Sequence, residues 1–182
     1  MLLAATAVPA GAATGDWPQF RADPPHTGFN ASETVISTAN VASLAQRWTA
    51  TTGGDVTFSS PAVANGVVYV GSNDHKLYAF DAAGTTNCSG TPIACSPLWT
   101  ATTGGQLPSS PAVAHGVVYV GSLDGKLYAF DAASGALLWA ATTGSAVASS
   151  PTEANGVVYV GSDDGKLYAF DAASGAPVWA AT

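Results

Sequence analysis

Gly156-Val157-Val158-Tyr159-Val160-Gly161-Ser162, followed by Lys166-Leu167-Tyr168-Ala169-Phe170-Asp171, is the stretch that decides the fold. The same words recur, nearly unchanged, at 66–81 and 116–131. Three near-copies at a regular spacing mark a repeat architecture, in which one supersecondary unit buries its apolar face by stacking on the next.

Outward from that stretch, punctuation divides each unit into four strands. Ser59-Ser60-Pro61-Ala62-Val63-Ala64 opens the first unit and ends at Asn65-Gly66; the later units turn at His115-Gly116 and Asn155-Gly156. Asn-Gly favours a two-residue hairpin because both positions accept positive φ. The second strand is β-branched and aromatic and ends at Asp74-His75, Asp124-Gly125 or Asp164-Gly165. It is almost wholly apolar, as befits a sheet covered on both faces. The third strand closes on Asp81, Asp131 or Asp171, and the fourth carries Trp99, Trp139 or Trp179. Four antiparallel strands in about 40 residues is the size of a β-propeller blade. The blades are expected at about 55–101, 102–141 and 142–182, within a repeat region at 48–182. Residues between Asp81 and Trp99 lengthen the first unit, and an insertion tolerated there marks a surface loop.

Composition agrees. Charged residues are only 9% of the 182, which suits short strands and tight turns better than helices. Five basic against twelve acidic residues give a net charge of −7 with no basic cluster, which argues against a nucleic-acid partner. Residues 1–13 are apolar and small, and Ala10-Gly11-Ala12 fits an export-signal cleavage pattern, although no basic residue precedes it. Residues 1–15 therefore read as a truncated export-signal-like segment, too short to span a bilayer. Residues 16–47 form an N-terminal lead-in, with Trp17-Pro18-Gln19-Phe20 extended and at most a short helical turn within 32–44. Cys88 and Cys95 lie in the inserted loop, and an even cysteine count in an exported chain favours a disulfide.

The run Ala129-Phe130-Asp131-Ala132-Ala133-Ser134-Gly135-Ala136-Leu137-Leu138-Trp139 resembles the tryptophan-docking motif of pyrroloquinoline-quinone (PQQ) repeat propellers, Ala-x-Asp-x-x-Thr-Gly-Lys-x-x-Trp. Ser134 stands for Thr and Ala136 for Lys; 169–179 matches equally well, and the first copy keeps Ala79, Asp81 and Trp99 around the insertion. The family includes quinoprotein alcohol dehydrogenases and non-catalytic propellers such as outer-membrane protein assembly factor B. The resemblance implies that Trp48, Trp99, Trp139 and Trp179 dock blade on blade. Asp81, Asp131, Asp171, Gly135 and Gly175 would then shape the turns that aim them.

The resemblance also implies what an enzyme of this family would need: PQQ and calcium held by a Glu, an Asn and a catalytic Asp, with a disulfide between adjacent cysteines. Cys88 and Cys95 are not adjacent, and Glu33 and Glu153, the only glutamates, have no calcium-ligand spacing. No catalytic, cofactor-binding or metal residue is assigned. Glu153 replaces the Val63 and Val113 of the other copies and reads as drift at a blade edge or as a channel-lining acid. His26, His75 and His115 are unrelated by spacing. Lys76, Lys126 and Lys166 share one repeat position and read as edge-strand charge that discourages sheet association.

The expected fold is all-β: a β-propeller of four-stranded antiparallel blades, with three full blades plus one orphan strand at Trp48 in an incomplete ring. A fragment of a longer exported propeller is expected, with a self-associating half-propeller, joined through open blade faces, as the alternative. The expected function is a non-catalytic scaffold, secreted or in the periplasm or cell envelope, that binds a protein or another envelope component. It has neither a nucleic-acid partner nor a membrane span. Its rivals are the partial propeller of a PQQ- and calcium-dependent dehydrogenase, and a structural repeat region of a larger surface protein.

Overall fold

A computed structural model describes residues 16–21 and 36–182. The export-like segment 1–15, His26 and Glu33 lie outside the described residues. A single 3-10 turn at Val41–Ser43 is the helical content of the described part of 32–44. Fifteen short strands follow. β1 (Thr49–Ala50) precedes β2 (Ala62–Ala64), β3 (Val67–Gly71) and β4 (Lys76–Asp81). β5 (Cys88–Ser89) and β6 (Ala94–Cys95) form a hairpin in the insertion, and β7 (Trp99–Thr102) resumes the repeat. The second unit is β8 (Ala112–Ala114), β9 (Val117–Ser122), β10 (Lys126–Asp131) and β11 (Leu137–Thr142). The third is β12 (Thr152–Ala154), β13 (Val157–Gly161), β14 (Leu167–Asp171) and β15 (Pro177–Ala181).

Each unit is one antiparallel four-stranded sheet in simple up-and-down order: β2-β3-β4-β7, β8-β9-β10-β11 and β12-β13-β14-β15. The first hairpin of each adopts the positive-φ pair expected of Asn-Gly. Asn65 and Gly66 have φ of 51° and 76°, and His115 takes the Asn role at 51°. The chain is therefore three consecutive blades of an incomplete β-propeller.

The core lies between blades, because strand alternation gives each sheet two apolar faces. Tyr69, Leu77, Ala79 and Ala101 of the first blade meet Leu107, Val118, Val120, Tyr128 and Phe130 of the second. The same layer repeats between blades two and three, from Tyr119, Leu127 and Ala129 to Val147, Val158, Val160 and Phe170. Each fully buried Leu or Val contributes about 1.5–3 kcal/mol by leaving water. The second strand of the first two sheets needs a glycine for this approach: a Cβ on Gly71 would lie 2.8 Å from the Leu107 Cβ, and one on Gly121 2.5 Å from the Val147 Cγ1.

Two polar systems lace the inner edge. Ser59, Ser109 and Ser149 each accept, through Oγ, the amide of Gly71, Gly121 or Gly161 in their own blade, at 2.8–3.0 Å. The second serine works between blades: the Ser60 amide donates to Ser110 Oγ at 2.9 Å, and the Ser110 amide to Ser150 Oγ at 3.1 Å. The lead-in forms a strap over the same edge. Trp17 exchanges both backbone hydrogen bonds with Val63, and the Pro18 carbonyl accepts the Val113 amide of the next blade at 2.7 Å.

The orphan strand β1 stands in no blade, as expected; its neighbour is β6 of the inserted hairpin, with which it pairs in parallel. Two expectations change. The lysines are not on edge strands. Lys126 starts β10, which is paired on both sides, to Ser122 and to Thr142, so its charge caps an interior strand instead of blunting an edge. Glu153 is neither idle nor channel-lining: only 8% exposed, its Oε1 accepts the Gly156 amide at 2.8 Å and its Oε2 lies 3.8 Å from His115 Nε2 of the neighbouring blade.

Candidate functional site

Two places carry more than sheet chemistry: the tryptophan sockets at the outer strands, and the loop-lined mouth near the inner ones. A socket begins with the turn after the third strand. The Asp131 carboxylate accepts the Ser134 amide at 2.8 Å and its hydroxyl at 2.6 Å; Asp171 and Ser174 repeat both. The Ser134 hydroxyl first, then its amide, holds the Asp131 carboxyl below its ordinary value, and Ser174 acts likewise on Asp171. In the first blade the insertion recasts this turn. The Thr86 amide, then the Thr85 hydroxyl and amide, converge on Asp81 and hold it well below the usual carboxylate range.

The turn ends on a positive-φ glycine with an indole laid across it. A Cβ on Gly135 would meet Trp99 Cε3 at 2.5 Å, and one on Gly175 would meet Trp139 at 2.7 Å. Gly84 holds the same place under Trp48, and nothing in the docking motif marks it, because the insertion begins directly after it. Each indole Nε1 donates at 3.1 Å to a carbonyl on the socket blade: Trp48 to Ala82, Trp99 to Ala132, Trp139 to Ala172. A tyrosine of the docking blade joins the last two. Tyr69 donates its hydroxyl to Ala132 O at 3.1 Å, and Tyr119 to Ala172 O at 3.2 Å. Burial, with the charges of Glu153 and Asp171 behind it, pushes the Tyr119 hydroxyl up to about 12. Trp179 has no following blade among the described residues. It packs on Tyr159 of its own sheet, 5.9 Å between ring centroids, and is 43% exposed.

The mouth is built by the loops between blades. Tyr128 donates its hydroxyl to Asp124 at 2.5 Å and accepts the Gly104 amide at 3.2 Å; Tyr78 with Asp74 and Tyr168 with Asp164 repeat the arrangement. Thr103 and Thr143 tie the same loops to the turns of the preceding sheets. On this frame Phe58, Pro108 and Ala148, one from each unit, line a mostly apolar concavity of about 460 Å³ with Asn73, Gln106 and Leu123. Phe58 is 75% exposed there.

Cys88 and Cys95 are disulfide-bonded and face each other across the β5–β6 hairpin, in the insertion, which lies outside the three blade sheets. The described residues hold no group of three His, Cys, Asp or Glu side chains placed to bind a metal.

Residues 95–182 match the family model described as outer membrane protein assembly factor BamB. Over that stretch, which holds the second and third blades, the docking motif and the socket geometry are similar to those of PQQ-like propeller repeats. Among solved structures, the chain is similar to the quinohemoprotein alcohol dehydrogenase from Comamonas testosteroni, with a TM-score of 0.77 and 25% identity over 94% of this chain and 28% of that one. It is also similar to a europium-containing methanol dehydrogenase, with a TM-score of 0.76 and 23% identity over 93% and 32%. BamB from Moraxella catarrhalis gives a TM-score of 0.54 and 22% identity over 74% and 39%. The chain thus spans well under half the length of these structures. No curated protein matches the sequence.

Proposed function

We propose that these PQQ-like blades form a binding or assembly scaffold outside the cytoplasm, which takes a protein partner at the mouth. The observation that carries the reading is the concavity at the mouth. An apolar hollow of about 460 Å³, with an exposed Phe58 on its wall and rigid, hydrogen-bonded loops around it, suits an aliphatic or aromatic side chain of another protein. The family match over 95–182, to a model described as an assembly factor, supports a protein as the ligand, and the Cys88–Cys95 disulfide supports an oxidising compartment.

The higher TM-scores to dehydrogenases favour a second reading, in which the chain is part of a PQQ- and calcium-dependent enzyme. Peptide display on the immobilised chain, run beside a calorimetric titration with PQQ and calcium, separates the two. The scaffold reading expects enriched peptides with a shared apolar anchor, lost in Leu123→Asp, and no heat from the quinone. Saturable quinone binding without peptide enrichment would favour the enzyme.

A further inference from the structure

Two of the three blades carry the same Asn-Gly hairpin tip, and the tips differ in one hydrogen bond. Asn65-Gly66 and Asn155-Gly156 are both exposed, with φ of 51° and 76° in the first and 54° and 78° in the second. A Cβ on either glycine would meet nothing within 4 Å. The Gly156 amide nevertheless donates to Oε1 of the buried Glu153 at 2.8 Å. In the first blade Val63 stands where Glu153 stands in the third, and the Gly66 amide has no partner among the described residues. The tip of the second blade has His115 in place of asparagine.

An exposed Asn-Gly pair has a reaction of its own. The glycine amide gives its proton to a solvent base, and its nitrogen attacks the side-chain carbonyl carbon of the asparagine. The new C–N bond closes a cyclic imide, and the side-chain nitrogen leaves as ammonia with a proton from solvent. Water then opens the imide at either carbonyl, to aspartate or isoaspartate. The net change is water in, ammonia out and one negative charge gained. Glycine suits this step because no Cβ hinders its nitrogen. An amide already bonded to a carboxylate is not free to turn on its neighbour, and the negative charge beside it resists loss of its proton. We infer that Asn65 is a self-converting site, that Glu153 holds Asn155 back from the same fate, and that conversion at Asn65 loosens the strap. The Asn65 amide donates to Asp16 Oδ1 at 3.2 Å, so the new carboxylate arises beside the one that begins the strap. Next to that contact Trp17 and Val63 exchange their backbone hydrogen bonds.

Ageing the purified chain in mildly alkaline buffer tests this, with tryptic peptide maps read by electron-transfer fragmentation, which tells aspartate and isoaspartate from asparagine. Cleavage after Arg47 and Lys76 puts Asn65 in one peptide, and cleavage after Lys126 and Lys166 puts Asn155 in another. Asn65 should convert about tenfold faster than Asn155, the factor that a hydrogen bond to a charged group supplies. In urea, where neither tip is held, the two should convert alike. A swap reads both directions: Glu153→Val should raise Asn155 to the Asn65 rate, and Val63→Glu should slow Asn65. Circular dichroism checks that each variant keeps its sheets, and Val63→Glu decides the matter if Glu153→Val unfolds. In Asn65→Asp the Val63 amide should exchange its hydrogen faster than in wild type, while the Val118 amide keeps its protection. Equal rates at the two asparagines of the folded chain overturn the proposal, as does an Asn65 that converts in urea but not in the fold. So do folded swaps that leave both rates unchanged, and a Val63 amide that exchanges alike in Asn65→Asp and wild type.

Discussion

One carbonyl oxygen per interface does the work of two. Ala132 O accepts hydrogen bonds from both Trp99 and Tyr69, using the two lone pairs a carbonyl offers, so indole and phenol are aimed by the same atom. That atom is placed by the aspartate turn, and the turn has a pH signature. Asp131 sits below its ordinary 3.8 in the native state, so the unfolded chain binds the proton more readily. Its stabilising contribution is therefore full above about pH 4 and is lost as pH falls through the native value. Asp131→Asn should lower the thermal midpoint by a few degrees at neutral pH, and the gap to wild type should close in strong acid. Calorimetric melts across that range check it; a gap that stays constant would remove the charge from the account.

The sequence singles out Trp99, Trp139, Asp131 and Asp171 because they recur at fixed positions of the repeat. Gly84 is not singled out, since the insertion follows it at once. The tyrosine partners and the second serine bond to backbone atoms, which leave no mark in a sequence. Their one signal was recurrence at the same repeat position, at Tyr69, Tyr119 and Tyr159 and at Ser60, Ser110 and Ser150.

At the scale of elements, turn chemistry decided most of what was readable. Asn-Gly hairpins and alternating strands give the order of each sheet directly, because both depend on neighbours in the chain. β1 escaped that logic: its partner is set by the inserted hairpin and lies far along the chain, as Thr49 donates to Ile93 O at 3.0 Å. Replacing Cys88 and Cys95 with serine frees that hairpin. The double variant should lose about 2 kcal/mol, by loop-closure entropy for a short loop. Hydrogen exchange should show the loss locally. The Thr49 amide should exchange faster while Val118 and Val120, in the layer between blades one and two, keep their protection. Equal acceleration at all three would mean that the hairpin supports the whole stack.

At the scale of the molecule, stability resides in the layers between sheets, so identical residues should differ in worth by position. Trp99→Ala opens a filled socket and should cost roughly 3–5 kcal/mol. Trp179→Ala, on a face with no neighbour among the described residues, should cost this chain less than about 1 kcal/mol. Denaturant titrations of the two variants compare them directly, and equal losses would show that the indoles serve their own sheets instead of their neighbours. The number of blades was visible in the repeat, but the strap was not, because Trp17 and Pro18 carry no sequence sign of which strand edge they will meet.

That strap has a consequence for the order of events during synthesis. Trp17 and Pro18 leave the ribosome ahead of these three blades, yet their partners are Val63 and, far later, Val113. Each sheet can zip up from hairpins as it emerges, whereas the strap must wait until two sheets stand side by side. The first of these residues to be made are thus among the last to settle, and a nascent chain stalled before its second blade would carry them unclaimed.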